Sequence, residues 1–183
     1  MALVLSDSRT SIMESVRKNR WLMQFTAIPG ITGNTTANED LSFVALTAVA
    51  PSITFEQKEY HRLNEKFYTA GKPTWNEIPM TFYDFISGTK SAAHLLYKWS
   101  TAIYNPLTGA MSFKKNYTAT GTLAMLDPAG SPVRVWNLYH LWPFTVNFGD
   151  GFDAASDDIN TVSVTFRYDF AIKQDDVETG TTT

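Results

Sequence analysis

The chain has 183 residues, a formal net charge of −3 and no cysteine. The length fits a single domain that buries about 70% of its unfolded surface. The lack of cysteine excludes disulfides, thiolate chemistry and zinc sites with Cys ligands. The charge balance lacks the basic excess that is typical of nucleic-acid-binding domains. Aromatic residues make up 14% of the chain, which favours a protein with many strands.

The N-terminal region predicts a short helix, a strand and a loop. Ser11 and Glu14 have capping-box spacing within a predicted helix over 8–18. A strand is predicted over 20–28, and the Thr-, Asn- and Gly-rich residues 31–40 predict a loop. No signal-peptide pattern and no apolar run of membrane-spanning length is present, so we expect a protein that stays in the cytoplasm.

The next segments alternate between apolar runs and turn residues. Apolar residues return over 41–49, and residues 52–70 predict two short strands that turn near 63–65. Residues 74–85 predict one further strand, in which Pro79 indicates an edge or a bulge.

One segment has clear helical periodicity. Residues 89–104 place an apolar stripe on one face, and either Thr89 or Ser91 has the right position to cap the start. Proline at position 106 stops the helix. We expect this helix to cover one face of a sheet through its stripe: Ala92, Leu95, Leu96, Trp99 and Ile103.

The C-terminal half predicts strands over 113–126, 133–148 and 160–172, with a type I turn at 127–130. Period-2 alternation predicts a sheet core on the even-numbered face and a polar odd-numbered face. The predicted core face holds Trp136, Leu138, Trp142, Phe144, Val146, Phe148, Val162, Val164, Phe166, Tyr168, Phe170 and Ile172. Extended residues 133–148 would span about 50 Å, so we expect either a bulge or bend at Pro143 or a strand that reaches beyond its own core.

Few residues point to catalysis or to a metal, and none to a cofactor. The spacing of His61, His94 and His140 matches no metal site, so structural or surface roles are favoured. The sequence contains no nucleophile elbow, P-loop or dinucleotide fingerprint. Lys114 and Lys115 beside aromatic residues are a weak nucleic-acid signal. We therefore predict that the protein is not an enzyme.

An acidic loop over 149–158 is the strongest remaining candidate for a catalytic or metal site. It contains Asp150, Asp153, Asp157 and Asp158, and clustered carboxylates suit hard cations. The spacing matches no calcium loop, and a solvated turn between two strands explains the residues more simply.

Several segments in order resemble the tail tube proteins of contractile-tailed bacteriophages. Residues 70–82, AGKPTWNEIPMTF, are similar to a glycine-to-tryptophan stretch of that family. A helix ending near Trp99, a strand, a short turn and a long hairpin follow in the same order, and residues 162–169, VSVTFRYD, resemble the last strand. The resemblance covers about residues 20–172. The N-terminal extension and the two polar loops depart from the pattern.

The resemblance implies a mainly β fold, a small β-barrel or sandwich of antiparallel strands with one flanking α-helix over about 89–104. It implies a single domain over 1–183 with an N-terminal extension at 1–19 and a mobile tail at 174–183. Six copies would close into a ring, and rings would stack into the inner tube of a contractile phage tail. The implied partners are further copies, the sheath, the baseplate hub and the tail terminator, with double-stranded DNA passing through the lumen. The implied location is the virion, after assembly in the host cytoplasm.

The family resemblance also suggests which residues work. Residues 41–72 would supply contacts between neighbours and rings, and the best candidates for these contacts are Ile53, Phe55, Tyr60, Phe67 and Tyr68. Each of the five could equally be core. The polar strand face would contribute to the channel wall, through candidates Thr161, Ser163 and Thr165.

Other functions remain open at this point. The same fold would serve in a baseplate tube initiator, or in the ring protein of a contractile secretion system. A carbohydrate-binding β-sandwich is an alternative of another class, and it requires Trp136 or Trp142 to be exposed.

Overall fold

A computed structural model describes residues 16–30, 41, 42, 44–86, 91–149, 151 and 153–174. The described part of the chain is mainly β, as expected, and its strands are antiparallel. The strands are β1 Trp21–Thr26, β2 Ala45–Ala48, β3 Ile53–Arg62, β4 Glu65–Trp75, β5 Ile78–Tyr83, β6 Ala119–Leu126, β7 Pro132–Asn147, β8 Thr161–Arg167 and β9 Phe170–Gln174. The helices are α1 Ala92–Ile103 and α2 Lys114–Tyr117.

A seven-stranded sheet runs in the order β1-β6-β7-β8-β5-β2, with β9 also paired to β7. The first half of β7 lies between β6 and β9, and the second half pairs with β8. β7 bends where His140 has a positive φ of 56°, and its register with β8 shifts between Pro143 and Thr145. The register shift at Pro143 agrees with the bulge or bend expected there. The bend turns the sheet into two facing halves, a sandwich-like arrangement, and among the described residues the end strands β1 and β2 do not pair.

Four aromatic rings join the two halves and the helix. The ring of Phe25 lies 5.5 Å from that of Phe166 and 6.1 Å from that of Trp99, and Phe82 lies 6.5 Å from Phe166. Trp99 is fully buried, and its Nε1 donates a hydrogen bond of 2.8 Å to the carbonyl of Tyr117. These rings come from β1, β5, β8 and α1, so one cluster fixes all four elements.

Helix α1 lies as the sequence predicts. The Ser91 hydroxyl accepts a hydrogen bond of 3.1 Å from the backbone N–H of His94 and caps the first turn. The other cap candidate, Thr89, lies outside the described residues. The predicted stripe is buried at Ala92, Leu95, Leu96 and Trp99, so the helix covers the inner face of the sheet. No helix in the described part of the chain is long and apolar enough to span a membrane.

Three predicted segments are wrong in their boundaries. Residues 114–117 form α2 rather than the start of a strand, because a helical turn brings the Tyr117 carbonyl to the Trp99 indole. The two short strands predicted over 52–70 are instead long, with 10 residues in β3 and 11 in β4. The strand predicted over 74–85 therefore begins at Ile78. Pro79 lies just beyond the last pair that β5 makes with β2, so β5 has edge character there.

The predicted core face is also wrong at four positions, which lie late in β7, just beyond its end, and in β9. Phe144 and Phe148 are exposed, because the bend at His140 and the register shift change the phase of β7. Phe170 and Ile172 are exposed and Ala171 is buried. The reason is that Tyr168 and Asp169 interrupt the strand between β8 and β9, so the alternation does not continue across them. In the uninterrupted strand β8 the prediction is confirmed, with Val162, Val164 and Phe166 buried.

Some predictions lie outside the described residues. These are the loop at 31–40, most of the helix at 8–18, and the tail at 174–183 apart from Gln174, which ends β9. Residues 16–18 of the predicted helix are described and are not helical.

Candidate assembly surfaces

Strands β3 and β4 form a two-stranded sheet of their own, here called the ribbon (residues 53–75). Every residue of β3 is exposed, and in β4 only Gly71 and Trp75 are partly covered. The ribbon extends about 33 Å at roughly 3.3 Å per residue. An isolated two-stranded hairpin is at best marginally stable in water. A ribbon of this length with both faces exposed would be stabilised by packing against another surface.

The five predicted contact residues all lie exposed on the ribbon, in two groups. Side chains of directly opposed residues share a face of an antiparallel pair. Tyr60 is opposite Phe67, so these two rings share one face. Ile53 and Phe55 lie on the other face, together with Tyr68, which is opposite Glu59. Each face of the ribbon therefore carries large apolar side chains in water.

The tip of the ribbon carries a further exposed apolar residue that the sequence analysis did not select. Leu63 is 97% exposed and has a φ of 55° in the two-residue turn. A left-handed conformation is costly for leucine and is ordinary for glycine or asparagine. Because this conformation is unfavourable for leucine and the side chain is exposed, Leu63 is a further candidate contact residue.

The root of the ribbon is fixed by hydrogen bonds and by an ion pair. The Asn76 side-chain amide donates bonds of 3.0 Å to the hydroxyl oxygens of Ser52 and Thr54, and its backbone N–H donates to the Ser52 carbonyl at 2.9 Å. Next to it, Glu77 pairs with Arg167 of β8. The Asn76 bonds hold the two strands of the ribbon together at its root, and the Glu77–Arg167 pair joins that root to β8 of the main sheet.

A bulge in the ribbon depends on Gly71. The register shifts between Phe55 and Gln57, so that Glu56 lies opposite Gly71 and Lys72. A Cβ on Gly71 would lie 2.9 Å from the Glu56 carbonyl oxygen and 2.9 Å from its Cβ. Glycine is therefore required by close backbone approach.

Tyr168 packs against the root of the ribbon. Its ring lies 5.9 Å from that of Trp75, at the end of β4, and its buried hydroxyl has no hydrogen-bond partner of ordinary geometry. Burial raises the pKa of Tyr168, and the nearby Ser52 backbone opposes that rise more weakly.

The three channel candidates share the outer face of β8. Thr161, Ser163 and Thr165 are half-buried and alternate with buried apolar residues. The register aligns Ser163 with neutral polar residues on three further strands, in a row that reads Thr47, Thr81, Ser163 and Asn147. This outer face is the predicted second, polar face, and α1 covers the opposite side of the sheet.

The histidines and acidic residues make local contacts. His61 lies 3.3 Å from Glu59, which also pairs with Lys66 at 2.7 Å. His140 lies 3.0 Å from Asp169, which pairs with Lys114 at 2.6 Å. His94 is half-buried on α1.

No group of three or more potential ligands that could hold a metal ion occurs among the described residues. In the acidic loop, the backbone N–H of Ala155 donates to Asp153 and the hydroxyl of Ser156 donates to Asp158. Asp150 lies outside the described part.

Comparison with known proteins shows similarity of structure without similarity of sequence. No family model matches the sequence, and no curated protein matches it. A chain in the structure of the anti-feeding prophage cap (AFP tube terminating cap) has a TM-score of 0.66 and 17% identity, covering 94% of this chain and 99% of that one. A chain in the PVC sheath-tube complex of an extracellular contractile injection system has a TM-score of 0.63 and 17% identity, covering 95% and 99%.

A third similar chain comes from the 6-fold symmetrised anti-feeding prophage baseplate, with a TM-score of 0.65, 16% identity, and coverage of 88% and 96%. At such low identities the similarity establishes the fold. The chain has the fold of proteins found in contractile injection systems, as its resemblance to tail tube proteins predicts.

Replacing Gly71 with alanine will disrupt the ribbon locally. The new Cβ requires Glu56 to move, at a cost of about 1–3 kcal/mol. The exposed ribbon can open locally without unfolding the core, which relieves this cost, so the global free energy of unfolding changes little. NMR will show weakened cross-strand contacts between Gln57 and Ala70. Gly151→Ala is the control, since its Cβ meets nothing within 4 Å; unchanged contacts in the Gly71 variant would contradict the bulge.

Replacing Tyr168 with phenylalanine will preserve or raise stability. At neutral pH the change removes a buried hydroxyl that lacks a partner, with a gain of up to about 1–3 kcal/mol in the free energy of unfolding. In the wild type the pKa of Tyr168 is higher in the folded state than in the unfolded chain. The stability that Tyr168 contributes through this difference is therefore fully present below about pH 10, and it is lost as pH rises through the folded-state pKa. Phenylalanine does not titrate, so the variant lacks the fall in stability that Tyr168 causes at alkaline pH.

Urea unfolding at pH 7 and above pH 10 measures both effects. The exposed Tyr97→Phe is the control. A loss of stability at pH 7 in the Tyr168 variant alone would show that the hydroxyl is bonded.

Proposed function

We propose that this chain is the subunit of the inner tube of a contractile tail or a related injection machine. Six copies close into a ring, and rings stack into a tube with a central channel. The function requires neither a catalytic residue nor a cofactor. The observation that carries the proposal is the ribbon, which exposes apolar side chains on both faces.

The size of the ribbon fits a specific protein contact. Its two strands contain 10 and 11 residues, and a stable interface uses about 20–30 residues on each partner. Two apolar faces are best covered by placing the ribbon between two other surfaces. A ring subunit provides them, because each copy has a lateral neighbour and an adjacent ring. Ile53, Phe55 and Tyr68 would pack on one side, and Tyr60 and Phe67 on the other.

Strand edges support ring closure. Unpaired edges of a sheet pair readily with other chains, and β1 and β2 are the two ends of the main sheet. A heterologous contact that closes into a ring removes such edges. The 6-fold symmetry of the baseplate that contains a chain of this fold supports six copies per ring.

The neutral polar face suits a channel wall. The row of hydroxyl and amide side chains through Ser163 carries no charge, so it offers little attraction to phosphate. In the ring, Thr161, Ser163 and Thr165 would face the lumen, and α1 would face outward. In a phage tail, double-stranded DNA would pass along this wall without specific binding during genome ejection.

The partners follow from the position of the tube. We propose that the outer surface meets a contractile sheath and that the tube ends meet a baseplate hub and a terminator. In the phage form the tube belongs to the virion tail and assembles in the host cytoplasm. The injection-machine form has the same tube without a genome, and the injection-system structures that share the fold support it. Immunogold electron microscopy of particles from the host separates the two by the presence of a DNA-filled head.

Two other roles make different predictions. A baseplate initiator or a secretion-type ring would form isolated rings, whereas a major tube protein forms long tubes on its own. A carbohydrate-binding module needs an exposed tryptophan platform. Trp136 and Trp142 are both partly buried and Trp136 packs against the core, so the geometry does not favour that role.

Replacing Phe55 and Tyr60 with glutamate will block assembly and leave a folded monomer. The two side chains lie on opposite faces of the ribbon, so the variant places a charge in each proposed contact. The control, Leu107→Glu with Phe113→Glu, changes two exposed apolar residues outside the ribbon. Negative-stain microscopy and sedimentation will show tubes for the wild type and the control. Tubes of normal length from the ribbon variant would refute the role of the ribbon.

A further inference from the structure

We propose that rings stack head to tail because one end of each copy is basic and the other is acidic. This inference rests on the proposed tube function and adds the residues that set the stacking direction. The basic end is a cleft with cations at its rim, and the acidic end is a set of exposed apolar and acidic side chains. The occupant of the cleft is the acidic end of a second copy in the next ring.

The basic cleft lies where β1, β2 and β6 meet and has a volume of about 530 Å³. Its apolar wall includes Trp21, Val49, Leu123 and Met125, and Arg17, Lys18 and Arg20 complete the lining. The side chains of Arg17 and Lys18 are exposed. Lining of this kind fits a partner that presents apolar side chains surrounded by carboxylates.

The acidic end has that composition. Residues 153–159 contain Asp153, Asp157 and Asp158 and no cation, and all of these residues are exposed. Ile159 is 65% exposed and Ile86 is fully exposed. The backbone N–H of Asp84 donates to the Asn160 carbonyl at 3.2 Å, which places the exposed Phe85 and Ile86 beside the acidic loop.

The two ends cannot meet within one molecule. Met125 of the cleft pairs with Arg134 near the start of β7, whereas the acidic loop begins after Asn147 at the end of that strand. The cleft also reaches Val49 and Ala50, just past β2, on the side away from Tyr83 and the residues that follow it. The cleft and the acidic end therefore lie at opposite ends of the sheet, and only another copy brings them together.

In a ring built as a barrel, the basic and acidic ends of the copies meet along the axis of the tube. When sheets of neighbouring copies join edge to edge around a channel, the strand ends form the two rims of the ring. The basic cleft then lies on one rim and the acidic end on the other. A contact between unlike surfaces repeats without limit along the axis. Like rims repel, so opposite charges favour one orientation of each added ring.

The test uses charge reversal with rescue. One variant carries Arg17→Glu and Lys18→Glu, a second carries Asp157→Lys and Asp158→Lys, and a third combines all four changes. The matched control carries Lys98→Glu and Lys115→Glu, at two exposed lysines elsewhere. Circular dichroism first establishes that each variant is folded. Sedimentation and negative-stain microscopy then measure rings and tubes at about 50 mM and about 500 mM NaCl.

We expect each half-reversed variant to form single rings and to need at least about tenfold more protein for tubes at low salt. The fourfold variant regains tubes, the control behaves as wild type, and high salt weakens wild-type stacking. Normal tubes from both half-reversed variants would overturn the charge contact and leave the tube function standing. Loss of rings as well as tubes would place the contact within the ring and overturn the axial assignment. A wild type that forms neither rings nor tubes would refute the tube function itself.

Discussion

The ribbon carries apolar side chains on both faces, and no other element in the described part of the chain covers either face. Burial of apolar surface is the main favourable term in folding and in association, so a ribbon of this length has little to hold it in isolation. Tyr60 and Phe67 on one side, and Phe55 and Tyr68 on the other, need surfaces from other molecules. The proposed functional surfaces depend on this one constraint. In the proposed tube, each copy packs its ribbon against neighbouring copies, so each copy must also have a surface that covers the ribbon of a neighbour.

The rest of the fold holds the ribbon in position and leaves a row of neutral polar side chains on the outer face of β8. The cluster around Trp99 joins both halves of the sheet to α1, and it places the helix on the side away from Ser163. Asn76 then holds the two strands of the ribbon together at its root, and the pair between Glu77 and Arg167 joins that root to β8. Stability therefore resides in the body of the domain, and the exposed side chains of the ribbon contribute little to it. The same separation leaves the acidic loop and the basic cleft at opposite ends of the sheet.

The sequence predicted the features that depend on local periodicity. The alternation in β8 identified Val162, Val164 and Phe166 as core, and the helical stripe identified Trp99. The prediction failed where a single backbone angle changes the phase. Nothing about His140 signals its positive φ, and Phe144 and Phe148 become exposed as a result. The ribbon residues were selected through the resemblance to tail tube proteins, and their exposure could not be predicted because apolar alternation looks the same in core and interface. Leu63 was missed because a leucine is an unusual choice at a turn position with positive φ.

Hydrogen exchange of the ribbon amides, measured on dilute monomer and on assembled protein, tests the central claim most directly. The outward-facing N–H groups of β3 and β4 have no partner strand within the described part of the chain. They should exchange rapidly in the monomer, and assembly should slow them strongly, while amides of β8 stay protected in both states. Ribbon amides that exchange equally fast before and after assembly would show that the ribbon remains in water, and would contradict the account.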